Sequence, residues 1–316
     1  MTSTEIITSN IVSLVKIFPQ REQHSIGQDQ QQSFGEEDEK EPPLDFLTGS
    51  TVLLAPGRYE FELGLRYKQT RDSTVLMNVG YFQRSTYSAR RFEAAFSARG
   101  GLYNRFEGSL TIPITYSYIQ DVSTNDYVRD KDSWDLGDIS MGLQYLLLTE
   151  RGNRPALSLS LGITAPTGKK RYYSASDTWL DPLNNSNGHW GVSLGTTFVK
   201  TTDPAIIYGG LIYQHSFSRT IDGYRIKPGW GINGYLGVGF ALNEKLSLGS
   251  RLGFGYYSEM SVDGEEIKGS DTEPMDLSFS GSYRVTENWV ATPEITFNLN
   301  NDAGAASFSL NITRRY

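Results

Sequence analysis

The sequence predicts an all-β fold: a 12-stranded antiparallel transmembrane β-barrel, with a short N-terminal α-helix acting as a plug on a flexible linker. Three observations predict it. From Arg58 to Tyr316 apolar and polar residues alternate with period two, the spacing at which strand side chains share a face. The alternating stretches number twelve, and bacterial single-chain outer-membrane barrels have an even number of strands. The links between them also sort by parity into a short set and a long set, which a soluble sandwich has no reason to do.

Composition agrees once hydropathy is read correctly. The chain has 316 residues, and its mean hydropathy of -0.40 has the look of a soluble protein. Barrels hide their lipid-facing residues by alternating them with polar ones, so the mean says little. The 32 Gly, 19 Tyr and 15 Phe suit strands, tight turns and interfacial girdles. Absence of Cys excludes a disulfide framework and a thiolate metal site. A net charge of -7 and a pI near 5.1 argue against a nucleic-acid partner. No run of 18 apolar residues exists for a spanning helix. Met1 to Glu5 lacks the basic start of a secretory signal, so an exported protein is expected to be in mature or truncated form here.

Three segments follow: a helix over 1–19, a linker over 20–57 and the barrel over 58–316. In the first, Ser3 or Thr4 caps a helix, Ile7, Ile11, Leu14 and Phe18 recur on one face, and Pro19 stops it. Such a short helix is marginal alone in water and needs something to pack against. A remnant of vector, linker or coiled-coil sequence is the competing reading. The linker carries Gln30 to Gln32 and then Glu36, Glu37, Asp38, Glu39 and Glu41 before Pro42 and Pro43. Too polar to order itself, it is a self-repelling tether.

In the first strand Tyr59, Phe61, Leu63, Leu65 and Tyr67 alternate with Arg58, Glu60, Glu62, Gly64, Arg66 and Lys68. The second, near Ala89 to Arg99, sets Phe92, Ala94, Phe96 and Ala98 against Arg91, Glu93, Ser97 and Arg99. In the third, Leu110, Ile112, Ile114, Tyr116 and Tyr118 oppose Arg105, Glu107, Ser109, Thr111 and Thr115. The pattern recurs near 138–148, 156–165, 190–199, 205–217, 231–242, 246–257, 275–285 and 289–298, and closes over 306–316. Short links at 100–104, 149–154, 201–204, 243–245 and 286–288 alternate with long ones at 70–88, 121–134, 167–189, 218–228 and 259–274, and only the last outer link, around 300–304, is short. That asymmetry places both termini in the periplasm of a bacterial outer membrane. Tyr59, Tyr67, Trp134, Trp190, Trp289 and Tyr316 fall near strand ends, where amphipathic rings favour the lipid interface.

Gly137 and Asp138 before the fourth strand, with Pro166, Thr167 and Gly168 ending the fifth, resemble motifs of the outer-membrane family labelled for the phenol meta-cleavage pathway. The resemblance spans most of Arg58 to Tyr316 and includes the Fap functional-amyloid secretion porins. It implies a trimeric pore that exports amyloid subunits as unfolded chains in biofilm formation, plugged by a helix on a linker. Met1 to Pro43 is similar to that plug and linker; the family's coiled coil has no counterpart, since the sequence shows no heptad run. Expected partners are outer-membrane lipid and secreted amyloid subunits, with a homotrimer in the full-length protein. Passive uptake of aromatic or apolar small molecules stays open beside export.

A tilted twelve-stranded barrel has a backbone diameter on the order of 25 Å, leaving a passage roughly 10 Å wide. That suits a small solute or an extended polypeptide. The expected pore lining is Arg58, Glu60, Glu62, Arg66, Arg91, Glu93, Arg99, Arg105, Glu107, Asp138, Arg251, Asp276, Arg284 and Glu294. Both signs are mixed, so strong ion selectivity is not expected, and paired charges satisfying one another are the plainer reading. Val75, Leu76, Met77, Val79, Tyr81 and Phe82 form an apolar patch that either extends the first hairpin or folds inward as a gate. Enzymatic activity is not expected. His24, His189 and His215 are the only histidines, and Ser216 and Ser218 beside His215 are commonplace. No metal-ligand spacing, nucleotide motif or cofactor site is present, and the polar run Asp181 to Asn187 is read as a loop.

Overall fold

The computed structural model describes residues 53–78, 81–122, 128–168, 183, 185–221, 223–300 and 306–316; for 71–78, 81–86 and 221 it describes the backbone alone. Strands follow in order: β1 (Tyr59–Asn78), β2 (Tyr81–Tyr103), β3 (Phe106–Val122), β4 (Val128–Leu136), β5 (Ile139–Leu148) and β6 (Ala156–Ala165). Next come β7 (Gly191–Thr202), β8 (Ala205–Ser216), β9 (Arg219–Ile221), β10 (Tyr224–Lys227), β11 (Trp230–Ala241) and β12 (Leu246–Tyr257). The last are β13 (Ser261–Val262), β14 (Glu265–Glu266), β15 (Met275–Thr286), β16 (Trp289–Asn298) and β17 (Ser307–Arg315).

Twelve of these close into an antiparallel ring. Neighbours run β2-β1-β17-β16-β15-β12-β11-β8-β7-β6-β5-β3, and a β2–β3 pairing shuts the circle. Closure gives every wall strand two partners, which is what a sheet needs where no water can satisfy its edges. Short turns and the C terminus share one end, called here the turn end; the long connections share the other, the loop end.

The outer face has no protein to bury it. Phe61, Phe96, Leu161, Leu194, Leu211, Leu236, Phe254, Phe279, Ile295 and Phe308 all point outward and are 44–58% exposed. Water does not tolerate an apolar surface that continuous, whereas a bilayer requires it. Arg314 is the exception near the turn end. Its guanidinium lies 5.3 Å from the Trp289 ring centroid and 4.5 Å from that of Tyr316, a snorkelled cation over interfacial rings.

Three features mark the loop end, and the first of them is one of the two readings of the apolar patch. The β1–β2 ladder does not stop near Lys68 but continues in register to Asn78–Tyr81, so the backbone of the apolar patch extends the hairpin. Val79 and the side chains of Val75, Leu76, Met77, Tyr81 and Phe82 lie outside the described residues. Residues 128–136 form β4, which pairs with the upper half of β3 while β5 takes the lower half. Outside the ring, β9, β10, β13 and β14 form a four-stranded sheet. The helix expected over 1–19, with Ile7, Ile11, Leu14 and Phe18, and most of the linker also fall outside the described residues.

Candidate functional site

The lumen is built by the inward half of each alternation. At the turn end four strands bring their charges together: Glu60 from β1, Arg99 from β2, Glu107 from β3 and Arg315 from β17. Arg99 donates to Glu60, and also to Glu107 at 3.2 Å; Arg315 Nε donates to the other Glu60 oxygen at 2.8 Å. Glu60 and Glu107 are buried. Carboxylates so enclosed persist only when paired and hydrogen-bonded, so this lattice is structural first. Thr313 donates to Glu62 at 3.1 Å, extending it one level inward.

The chain entering the barrel is tied to the same lattice. The Leu54 N–H donates to Glu107 Oε2 at 2.8 Å, Gly57 N–H to the Gly101 carbonyl at 3.0 Å, and Leu53 is buried. Gly101 is required there, because a Cβ would collide with the Ala55 carbonyl. The segment preceding β1 therefore lies against the turn-end mouth.

The opposite wall is apolar. Ala156, Val199, Ile206 and Tyr208 pack with Leu146 and Tyr235 on the inner face of β5, β6, β7, β8 and β11. Both tyrosines lie along the wall over glycine. A Cβ at Gly237 would strike the Tyr208 ring, and one at Gly210 would come within 2.8 Å of the Tyr235 ring. Tyr235 OH meets Thr197 Oγ1 at 3.2 Å, and Arg251 sits 6.0 Å from its ring centroid.

At the loop end the described residues 183 and 185–187 of the connection from β6 to β7 lie on the inner side, and the two short motifs hold them there. Thr167 Oγ1 donates to the Gly137 carbonyl at 2.8 Å and accepts from Ile139 N–H at 3.0 Å. The Asp138 carboxylate accepts from Gly168 N–H at 3.2 Å and from Asn187 N–H at 2.9 Å. A side chain at Gly168 would sit 2.9 Å from the Asn185 carbonyl, so glycine permits the close approach. Thus pinned, Asn185 reaches past β5 and β3 to β2, where its Oδ1 is 3.4 Å from Arg91 Nη2 and 3.5 Å from Ser117 Oγ. Leu183 is buried beside it against Ile119, with Tyr87 packed on both.

Of the expected lining residues, Glu60, Glu62, Arg66, Arg91, Glu93, Arg99 and Glu107 share the face that carries the lattice. Arg251 and Glu294 face each other at 4.0 Å, Asp276 lies against Gly253, and Arg284 shares the inner face of β15. Three placements need correction. Arg58 precedes β1 and is exposed, and Arg105 is exposed in the β2–β3 turn with φ 67°, so neither belongs to a wall strand. Asp138 sits at the kink between β4 and β5 and is spent on backbone N–H groups rather than presented to the passage. His189 is buried, with Nδ1 on the Phe217 carbonyl at 2.9 Å, and His215 stacks edge-on with Phe217 at 5.4 Å. Among the described residues no three His, Asp or Glu gather as metal ligands. Sequence reasoning missed Leu183, Asn185, Tyr208 and Tyr235.

Comparison with known proteins gives two results. Residues 49–315 match the model of a family described as "Putative MetA-pathway of phenol degradation". Among solved structures, an outer-membrane channel from Pseudomonas putida is similar with a TM-score of 0.61 at 16% identity, covering 83% of this chain and 97% of that one. The translocator domain of the autotransporter NalP from Neisseria meningitidis is more distant, with a TM-score of 0.45 at 10% identity over 86% of this chain and 91% of that one.

Proposed function

The chain belongs to the phenol-degradation MetA-pathway family, and we propose that it forms a passive outer-membrane pore for small aromatic or apolar solutes. The observation that carries this reading is the inward connection between β6 and β7. Held by Asp138 and Thr167, its described residues bring Asn185 to Arg91 on the inner face of β2 and bury Leu183 against Ile119, and in this reading they narrow the loop end. Below it, Tyr208 and Tyr235 offer an apolar wall opposite the ion lattice. The long apolar outer face supports a membrane location, and the parity of the connections supports periplasmic termini. No step needs a cofactor; flux follows the gradient.

A second reading rests on the other end. Leu53 and Leu54 lead the chain against the turn-end mouth, and the preceding sequence supplies an amphipathic helix on an acidic tether. In this reading Ile7, Ile11, Leu14 and Phe18 occlude the pore from the periplasm, and withdrawal opens it for unfolded amyloid subunits, the full-length protein being a trimer.

Single-channel conductance in planar bilayers separates the two. The solute pore predicts steady conduction by the whole chain and by one lacking Met1 to Gly35. The gated exporter predicts a silent whole chain and a conducting truncation. Silence from both contradicts a pore of either kind.

A further inference from the structure

Charge is distributed unevenly around the turn end. In ring order Arg58 precedes β1, Arg105 lies between β2 and β3, and Arg151 and Arg154 lie between β5 and β6. All four are exposed and have no ion-pair partner among the described residues. The acids of this arc are already engaged. Glu60 and Glu107 are buried in the lattice, and Glu150 accepts from Lys200 Nζ at 2.6 Å and from Thr201 N–H at 2.9 Å. The turns on the rest of the ring have the opposite sign: they expose Asp203, Glu244 and Glu287, with Lys245 beside Glu244.

The chain enters the barrel on the basic side. Leu54 N–H is fixed to Glu107 of β3 and Gly57 N–H to Gly101 of β2, and the Arg58 carbonyl accepts from Gly101 N–H at 3.0 Å. Upstream, the run Glu36, Glu37, Asp38, Glu39 and Glu41, interrupted only by Lys40, ends 12 residues before Leu53. That stretch spans at most about 40 Å when extended. Neighbouring turns stand two strands apart, on the order of 10 Å, so every arginine of the arc is within reach. Acids so close together repel one another, and cations lined up against them relieve the repulsion. The tether also keeps the run beside those cations at high effective concentration.

We propose that residues 36–41 dock on the basic arc of Arg58, Arg105, Arg151 and Arg154, holding the tether to one side of the turn-end mouth. Each exposed contact contributes little alone; they act together through proximity and a field of one sign. The opposite arc, with Asp203, Glu244 and Glu287, repels the same run and steers it toward the β1 to β6 side. Salt loosens docking of this kind, because at 1 M the screening length is about 3 Å. The inference goes beyond the pore readings: it holds whether the segment ahead of the run plugs the mouth or leaves it open.

The test is a pair of distances measured by double electron–electron resonance on the folded full chain in neutral detergent micelles. The chain has no Cys, so nitroxide labels attach only where cysteines are placed. One variant carries Ser33→Cys with Asn153→Cys on the basic arc, the other Ser33→Cys with Asn288→Cys on the acidic one. Both turn positions are exposed, and Asn288 lies nearer along the ring to the point of entry. A narrow distance from position 33 to position 153, shorter than that to position 288, is expected at low salt and broadens at 1 M. Combining Arg105→Gln, Arg151→Gln and Arg154→Gln lowers the ratio of docked to undocked chain by roughly tenfold, and the corresponding Lys variants largely keep it. Heat-modifiable gel mobility checks that these exposed changes leave the barrel folded. Equally broad distances to both positions, or no change in the Gln variant, overturn the proposal. In nanodiscs rich in phosphatidylglycerol the narrow distance is retained; its loss there assigns the arc to anionic lipid and overturns the proposal as well. Conductance is read separately, so failure here leaves both pore readings standing.

Discussion

The two ends of the lumen use the same residue types for opposite purposes. At the turn end Arg99 lies between Glu60 and Glu107, and Arg315 takes the remaining Glu60 oxygen, so every carboxylate is met at close range. At the loop end Lys68 faces Arg91, and the nearest acids belong to the row below. A cation held between two carboxylates ties strands together; Lys68, with no ion-pair partner among the described residues, leaves its field to something mobile. Charge at a barrel's interior therefore cannot be assigned to stability or to transport by composition, only by partner.

If that contrast is right, the largest effect belongs to the turn end. Arg99→Met leaves Glu60 and Glu107 buried without their shared cation and is expected to cost about 3–5 kcal/mol. The urea midpoint of tryptophan fluorescence measures it, and an unchanged midpoint would mean that the lattice is not what holds β1, β2 and β3 together. A smaller effect follows on the apolar wall. Gly237→Val has no room beside Tyr208, so the ring is driven into the passage at roughly 1–3 kcal/mol. Lower conductance with an intact fold is the expected sign, and unchanged conductance removes Tyr208 from the pore wall. The smallest effect is expected at Arg66, whose side chain is 59% exposed and 3.9 Å from Glu93. Arg66→Gln should shift the same urea midpoint by no more than about 1 kcal/mol; a loss comparable to Arg99→Met would erase the distinction between the two ends.

The barrel itself was legible because alternation, strand number and link length are three independent consequences of one constraint, a closed sheet between oil and water. The spans 156–165, 246–257 and 289–298 read from period alone are those of β6, β12 and β16. Tertiary detail was not legible where a residue's partner lies far away in sequence. Ala205 to Leu211 is apolar almost throughout, so periodicity could not say that Ile206 and Tyr208 face inward while Ile207 faces out. Asn185 and Asn187 sit in a polar run with the composition of any surface loop, and composition does not show the backbone N–H group of Asn187 held by Asp138 or the Asn185 amide on Arg91. The Gly-Asp and Pro-Thr-Gly motifs were visible as motifs, but a carboxylate bonding to main chain leaves no periodic mark. At Arg105 the alternation extends one residue too far, into a turn.

The measurement that bears most directly on the account is single-channel conductance of the intact chain against Asp138→Ala. Loss of the carboxylate frees Gly168 and Asn187 from their acceptor, and releases the connection that carries Asn185 to Arg91. The account predicts small, uniform openings for the intact chain and larger, noisier ones for Asp138→Ala, with the fold retained on a heat-modifiable gel. Identical openings in the two would contradict it, since the inward connection would then not be what narrows the passage.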